Sequence, residues 1–477
     1  MTDNQVVMPK QSPTKKIVES FTSLDTYLTS LSNSQMVPNL EDQQKIVISM
    51  INLNTMLKDF QEEASVNQYR FTNNELAMFY RIVYNFKEST IIEQEIKFKI
   101  LGMIIRESTK EVKIPKAEGV VVVKYIPIQG HKIAEYLQAL LVIKKIGVEN
   151  SSKLLVSTYN VEQGIYTNDT LIIDKMMLAM QPTITKNARL DIIFWITTHA
   201  EFFEKQNDEN LIPLNNGIFN IKTKELKAYS PEFLFFSKAN INYNPNAKHP
   251  IFKSGFNFTN FIKEQATDED DEKMLWQIIQ YTLLLNKPKI AYFFLFDAVG
   301  NTGKSMFIKI LIQIIGLRNV MTANVEALNQ KFTPASIGDK QLVYGDENDK
   351  GFIEINETMK SIATGDPFKA EAKGENAYTA SSTAMVIQLM NKLPRFKHMD
   401  GGTKRRTRIV EFIKSYEGQE NEDIKNYDIK NQEFLEWVLL KGTQLPLEKI
   451  TDSGNSQIIK GEIELDSNTT QAWCEER

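Results

Sequence analysis

The sequence predicts an α/β fold centred on a phosphate-binding loop, with a mixed α/β region before it and a short helical tail after it. Three observations predict this. Ile290 to Phe296 is uniformly apolar, as a strand buried on both faces must be. It runs straight into Asp297-Ala298-Val299-Gly300-Asn301-Thr302-Gly303-Lys304-Ser305 and then a periodic apolar stretch, Met306 to Ile315, which reads as a helix. Two further apolar runs end in polar residues: Gln341 to Tyr344 leads through Gly345 to Asp346 and Glu347, and Thr383 to Leu389 leads to Asn391.

The chain has 477 residues, room for about three domains at ~150 residues each. Its 42% hydrophobic and 24% charged content is ordinary for a globular protein. No apolar run approaches the ~18 residues that span a bilayer, so no membrane partner is expected. Met1 to Pro13 is polar and lacks the apolar core of a secretory signal. Cys474 is the single cysteine, which excludes an intrachain disulfide and fits a reducing, cytoplasmic setting. A net charge of -4 neither announces nor excludes a nucleic-acid partner, because a ring can carry a basic channel inside an acidic body.

Along the chain, residues 1–15 read as a disordered start and 16–130 as a mostly helical domain of unknown role. Ile46 to Leu57 and Leu76 to Phe86 are its amphipathic stretches, and Val120 to Tyr125 is a candidate strand. His131 to Ile146 reads as helix. Residues 150–250 read as short strands and turns, with Asn215-Asn216-Gly217 a turn before the strand Ile218 to Ile221. A boundary falls in Asn242 to Pro250. The acidic run Asp268 to Glu272 is a helix start favoured by the macrodipole, opening Met274 to Leu285. Residues 131–250, 251–415 and 416–477 are taken as a preceding domain, the domain of the phosphate-binding loop and a helical tail.

The chemistry follows from residue type and context. Strand, glycine-containing loop, Gly-Lys-Ser and helix is the setting of a Walker A motif, in which backbone N–H groups of Gly300, Asn301, Thr302 and Gly303 cradle phosphates. Lys304 reaches the β- and γ-phosphates of ATP and Ser305 ligates Mg²⁺. The first glycine of the motif is replaced by Ala298, which leaves Gly300 to supply unusual backbone angles. Asp346 and Glu347 form a Walker B pair: Asp346 holds Mg²⁺ through water and Glu347 polarises the attacking water. Asn391 can orient that water, in the sensor role, or simply start a turn. Arg405 and Arg406 precede the strand-like Thr407 to Phe412; a guanidinium here either reaches a neighbouring subunit's γ-phosphate or sits in a solvated basic turn.

These residues resemble superfamily 3 helicases, in particular the D5/P4-like branch of phages, plasmids and mobile elements. The most specific stretch is Lys360 to Phe412, with Gly365-Asp366-Pro367, Asn391-Lys392-Leu393-Pro394 and Gly401-Gly402-Thr403-Lys404-Arg405-Arg406. Upstream, Gly164-Ile165-Tyr166 and Leu214-Asn215-Asn216-Gly217-Ile218-Phe219 look like the D5 N-terminal domain. The resemblance implies an AAA+ motor that hydrolyses ATP and assembles as a homo-hexamer. It implies 3′ to 5′ translocation on single-stranded DNA, unwinding of forked DNA and action at a replication origin in bacterial cytoplasm. It also implies that Phe368 to Ala380 forms a channel hairpin, with Lys373 at its tip and Lys369 at its base touching DNA, and that Arg406, with Arg405 next, is the finger. Primase chemistry is not expected, since His131 and His199 stand apart from any paired carboxylates. Relatives often finish with a winged-helix domain, and the resemblance leaves two readings of the helical tail 416–477: the start of such a domain, or a tail whose origin-reading domain is supplied elsewhere. Two other readings stay open: an ATPase that remodels or loads replication proteins, which Lys373 argues against, and an origin-binding scaffold with an assembly-only ATP site, which Glu347 and Arg406 argue against.

Overall fold

A computed structural model describes residues 127–475, apart from 148–154, 205–207, 339, 347–356, 375, 394–395 and 397–398, together with scattered positions from 91 to 124. The disordered start and both N-terminal amphipathic stretches lie outside the described residues, as does Glu347. The chain divides into two compact units, one ending at Phe203 and one running from Glu204 onward, with 147–154 belonging to the second. The stretch expected as one domain over 131–250 is thus divided at residue 204.

In the first unit, β1 (Glu111–Lys113) pairs antiparallel with β2 (Val122–Lys124). Helix α1 (Gly130–Leu140) follows, then β3 (Ile143–Gly147), β4 (Leu155–Asn160), β5 (Ile165–Thr167), helices α2 (Leu171–Met180) and α3 (Lys186–His199), and β6 (Phe202–Glu204). The strands form a sheet in the order β5-β4-β3-β6. Two sequence expectations are corrected here. His131 to Ile146 is not one helix: Leu141 is extended and its N–H closes on the Leu137 carbonyl, after which Ile143 enters the sheet opposite Thr158. Residues 171–199 are helical rather than strands and turns. Ile172, Ile173, Met176, Met177 and Met180 recur at helical spacing and are buried in one core, and Thr185 caps α3 by accepting from the Ala188 N–H at 3.2 Å. His199 is exposed and stacks on Trp195 at a centroid distance of 3.9 Å.

The second unit opens with a meander, β7 (Leu211–Leu214), β8 (Gly217–Asn220) and β9 (Glu225–Lys227), turning at Asn215-Asn216 as predicted. Helices α4 (Phe258–Gln265) and α5 (Glu269–Leu283) follow. Asp268 caps α5 through the Asp271 N–H at 2.8 Å, and four acidic residues occupy its first turn, where the helix dipole favours them. Strand β10 (Tyr292–Phe296) leads into α6 (Lys304–Ile315), followed by β11 (Val320–Thr322), the short α7 (Val325–Leu328), β12 (Leu342–Gly345) and α8 (Glu357–Thr364). Then come the hairpin β13 (Phe368–Ala370) and β14 (Tyr378–Ala380), β15 (Met385–Met390), α9 (Gly401–Arg406), β16 (Thr407–Glu411), α10 (Glu422–Asn426), α11 (Gln432–Gln444) and α12 (Gly454–Glu475).

Among the described residues, five strands form a wholly parallel sheet in the order β11-β12-β15-β10-β16. The apolar run that suggested a doubly buried strand behaves as one. Phe293 and Leu295 join the core made with α5, α6 and α11, while Tyr292, Phe294 and Phe296 join the core made with α8 and the start of α12. The strand starts at Tyr292 rather than Ile290, which is exposed and has a φ of 55°. Ile212, Leu214, Phe219 and Ile221 of the meander region share the core with α4, α5 and α6, which is why residues after 204 cluster with the parallel-sheet unit. No helix among the described residues is long and apolar enough to cross a membrane.

Candidate nucleotide-binding site

The loop between β10 and α6 lies at the carboxyl edge of the parallel sheet, the edge at which open α/β folds bind ligands. Gly300, Asn301 and Gly303 take φ values of 74°, 50° and 89°, whereas Ala298 has no positive φ. The bend that a first glycine would serve is therefore carried by Gly300, as the sequence suggested, and alanine costs nothing at its position. Gly303 is the N-cap of α6, so the first free N–H groups of a twelve-residue helix open beside the loop. The loop borders a cleft of about 700 Å³ lined by Phe256, Asn260, Ser305, Lys309, Tyr416 and Ile424 among others.

Lys304 is buried within this cleft, 7% exposed, and its ammonium is held by two hydrogen bonds and an ion pair. Nζ lies 2.6 Å from Asp297 Oδ1 and donates to the Met390 carbonyl at 2.7 Å and to Asn391 Oδ1 at 3.2 Å. This brings together the loop lysine and Asn391, which the sequence could connect only by strand order. Both depend on β15 running beside β10, with Phe296 opposite Met390. Asp346 follows β12 on the far side of β15; Gly345 is opposite Gln388, so Asp346 leaves the sheet on the same edge, two strand spacings or roughly 10 Å across. Asp346 and Ser305 are both exposed oxygen donors, a set that suits Mg²⁺ held partly through water.

Two residues not assigned a role from sequence shape the loop. Gln265, fully buried at the end of α4, donates through Nε2 to the Thr302 and Lys414 carbonyls, both at 2.9 Å, and accepts from the Lys414 N–H at 3.1 Å. One amide thus ties the phosphate loop to the segment after β16. Nothing in the sequence signals this, because the partners are far apart along the chain. Asp297 accepts from the Thr302 hydroxyl at 2.5 Å as well as pairing with Lys304. Beyond the loop, the Ser415 hydroxyl donates to the Gly300 carbonyl at 3.0 Å and the Tyr416 N–H to the Asn301 carbonyl at 3.0 Å. Burial, together with the hydrogen bond to Glu264, pushes the Tyr416 phenol up from its ordinary value.

Gly303 leaves no room for a side chain: an added Cβ would lie 2.8 Å from Phe261 Cε2 and would require the left-handed backbone. Gly303→Ala is expected to lower stability by about 1–3 kcal/mol and to weaken nucleotide binding. Thermal melting with and without ATP checks this, and an unchanged melting profile would contradict the loop geometry.

Arg405 and Arg406 lie at the opposite edge of the sheet. They end α9 immediately before β16, whose first residue, Thr407, is opposite Tyr292. From Tyr292 to Phe296 is four residue steps, about 13 Å, before the loop even begins. Arg406 Nη1 donates to the Gly402 carbonyl at 3.1 Å, and its Nε is buried without a hydrogen-bond partner. Asp400 caps this helix; the Thr403 N–H and then Lys360, at 3.0 Å, hold its carboxyl well below the usual range. Lys369 and Lys373 sit elsewhere again, on the β13–β14 hairpin. The antiparallel pairing of Phe368 with Ala380 makes the expected hairpin, and both lysines are exposed, Lys373 in the turn beside Gly374.

The comparisons with known proteins fall on both parts of this frame. Residues 157–263 match the D5 N-terminal-like family, and residues 296–406 match a family of unknown function (DUF5906). A putative helicase of Acanthamoeba polyphaga mimivirus is 24% identical over 260 residues, which is 52% of this chain and 26% of the viral protein, so the chain spans about a quarter of that relative's length. Among solved structures, the NrS-1 C-terminal region is 13% identical with a TM-score of 0.45, covering 71% of this chain and 75% of that one. JCV helicase is 17% identical with a TM-score of 0.27, covering 45% and 59%. Residues 157–263 are thus similar to the D5 N-terminal-like family, and the parallel sheet that carries the Gly-Lys-Ser loop follows them.

Proposed function

We propose that this chain is an ATP-dependent DNA helicase motor that works as a homo-hexameric ring in replication. The observation that carries the reading is the division of labour across one sheet. The phosphate loop and Lys304 open at the carboxyl edge, while Arg405 and Arg406 stand at the amino edge, too far to serve their own loop. An ATP site built from these parts is completed by a neighbouring copy, and a repeating interface of that kind closes into a ring. In each site, loop N–H groups and Lys304 hold the β- and γ-phosphates. Ser305 and Asp346 hold Mg²⁺, which neutralises phosphate charge. Asn391 and Glu347 place and polarise the attacking water. Arg406 of the adjacent copy, or Arg405 beside it, stabilises charge on the transferred group.

The exposed hairpin, with Lys373 in its turn and Lys369 on β13, supplies a cationic surface for single-stranded DNA. It also sets this reading above a protein-remodelling ATPase, which has no use for it. The viral relative's description as a putative helicase points the same way. Translocation 3′ to 5′, forked DNA and origin as substrates, and bacterial cytoplasm as the setting belong to the same proposal.

Subunit mixing tests the shared site. Arg406→Ala and Lys304→Ala proteins are each expected to be inactive, yet to regain part of the ATPase when combined, because a mixed ring contains interfaces with an intact loop on one side and an intact arginine on the other. Mixed rings verified by mass that stay inactive at every ratio would remove the trans arrangement.

A further inference from the structure

The motor reading uses Lys304 but gives no task to the carboxylate beneath it. Asp297 is 2% exposed, and its two oxygens are committed differently: Oδ1 lies 2.6 Å from Lys304 Nζ, and Oδ2 accepts from the Thr302 hydroxyl at 2.5 Å. An ammonium has three N–H donors. Here two hydrogen bonds run to the Met390 carbonyl and Asn391 Oδ1, and Nζ also lies against Asp297 Oδ1 at 2.6 Å as an ion pair, an oxygen that accepts no hydrogen bond of its own. A phosphate oxygen that takes the lysine competes with these partners for it. Of the three, only Asp297 is charged, and it sits directly under a loop whose backbone is shaped to receive an anion.

We infer that Asp297 is a positioning residue that competes with nucleotide phosphates for Lys304 and so sets how tightly, and for how long, ADP is held after each turnover. This rests on the loop being the nucleotide site. Its physical content is that a fixed buried charge opposes a phosphate chain a few ångströms away, and that it offers the lysine a partner to return to when the phosphates leave. For a motor that must empty each site in turn, such a counter-charge shortens the life of the product complex.

Asp297→Asn tests this. The amide has nearly the same shape, and its oxygen can still accept from Lys304 or Thr302, but the charge is gone. Binding of a fluorescent ADP analogue is expected to tighten by roughly ten- to a hundredfold, with dissociation slowed in proportion. KM for ATP and kcat are expected to fall together as release becomes limiting. A carboxylate that merely supports the fold predicts the reverse, weaker binding, and either weaker or unchanged ADP affinity overturns the proposal. Thr302→Val removes the hydroxyl while keeping the charge and is expected not to tighten binding; equal tightening there would assign the effect to loop mobility and also overturn it. If Asp297→Asn does not fold, Asp297→Ser removes the same charge and is measured in its place. Wild-type and Lys304→Ala proteins separate the two levels. If the wild type binds no ADP, or Lys304→Ala binds it equally well, the nucleotide-site reading fails. If both behave as expected and Asp297→Asn is no tighter, only the counter-charge fails.

Discussion

Lys304→Ala is expected to abolish ATP turnover, with a loss of at least roughly 10²–10³-fold, the scale of removing one preorganised charge donor from a reacting group. Two effects combine in this variant. The phosphates lose the cation at the start of α6, and Asp297, 2% exposed, loses its ion-pair partner. Leaving one member of a buried pair alone costs about 3–5 kcal/mol, so the variant should also melt at lower temperature. The double variant Lys304→Ala/Asp297→Asn removes both members and is expected to recover much of that stability while remaining inactive. ATPase and thermal melting of the two proteins measure the chemistry and the fold independently. Near-normal turnover in either would remove the assignment of the loop.

Lys373→Ala is expected to collapse DNA unwinding. The lysine stands in an exposed turn between β13 and β14, remote in sequence from the loop and its partners, and its proposed target is the phosphate backbone. Stimulation of the ATPase by single-stranded DNA should fade. The salt dependence of single-strand binding should become shallower, by about 0.7 in the logarithmic slope for each phosphate that is no longer neutralised. A solvated turn lysine would change neither. Unwinding rates and single-strand affinities across a salt series, wild type against variant, decide it; matching curves would leave the protein-remodelling ATPase as the better account of this motor.

What could be read from the chain alone was the part in which local sequence and local structure coincide. A doubly buried strand needs consecutive apolar residues, and Tyr292 to Phe296 supplies them. A helix that receives phosphate at its start needs a flexible entry, and Gly300 and Gly303 provide the positive φ values it requires. The capped, acid-led start of α5 was legible for the same reason, the signal and its consequence lying within a few residues, whereas the β13–β14 hairpin was expected only from the family resemblance. Helices α2 and α3 were missed. In α2 the helical spacing of Ile172, Ile173, Met176, Met177 and Met180 was present in the chain, but the segment is short, and the packing of that Met and Ile face is what fixes it as a helix.

Only the tertiary structure decided the site's connections. Lys304 meets Asn391 because β15 lies beside β10, and Gln265 binds the loop to Lys414 because α4 packs over it. Asp297 is buried against the lysine rather than exposed in a turn. Arg405 and Arg406 lie away from the loop because β16 runs parallel to β10, which puts the start of one strand and the end of the other on opposite edges of the sheet. The physical reason is that composition and periodicity report what each segment buries, whereas strand order and direction arise from long-range packing that no local pattern encodes.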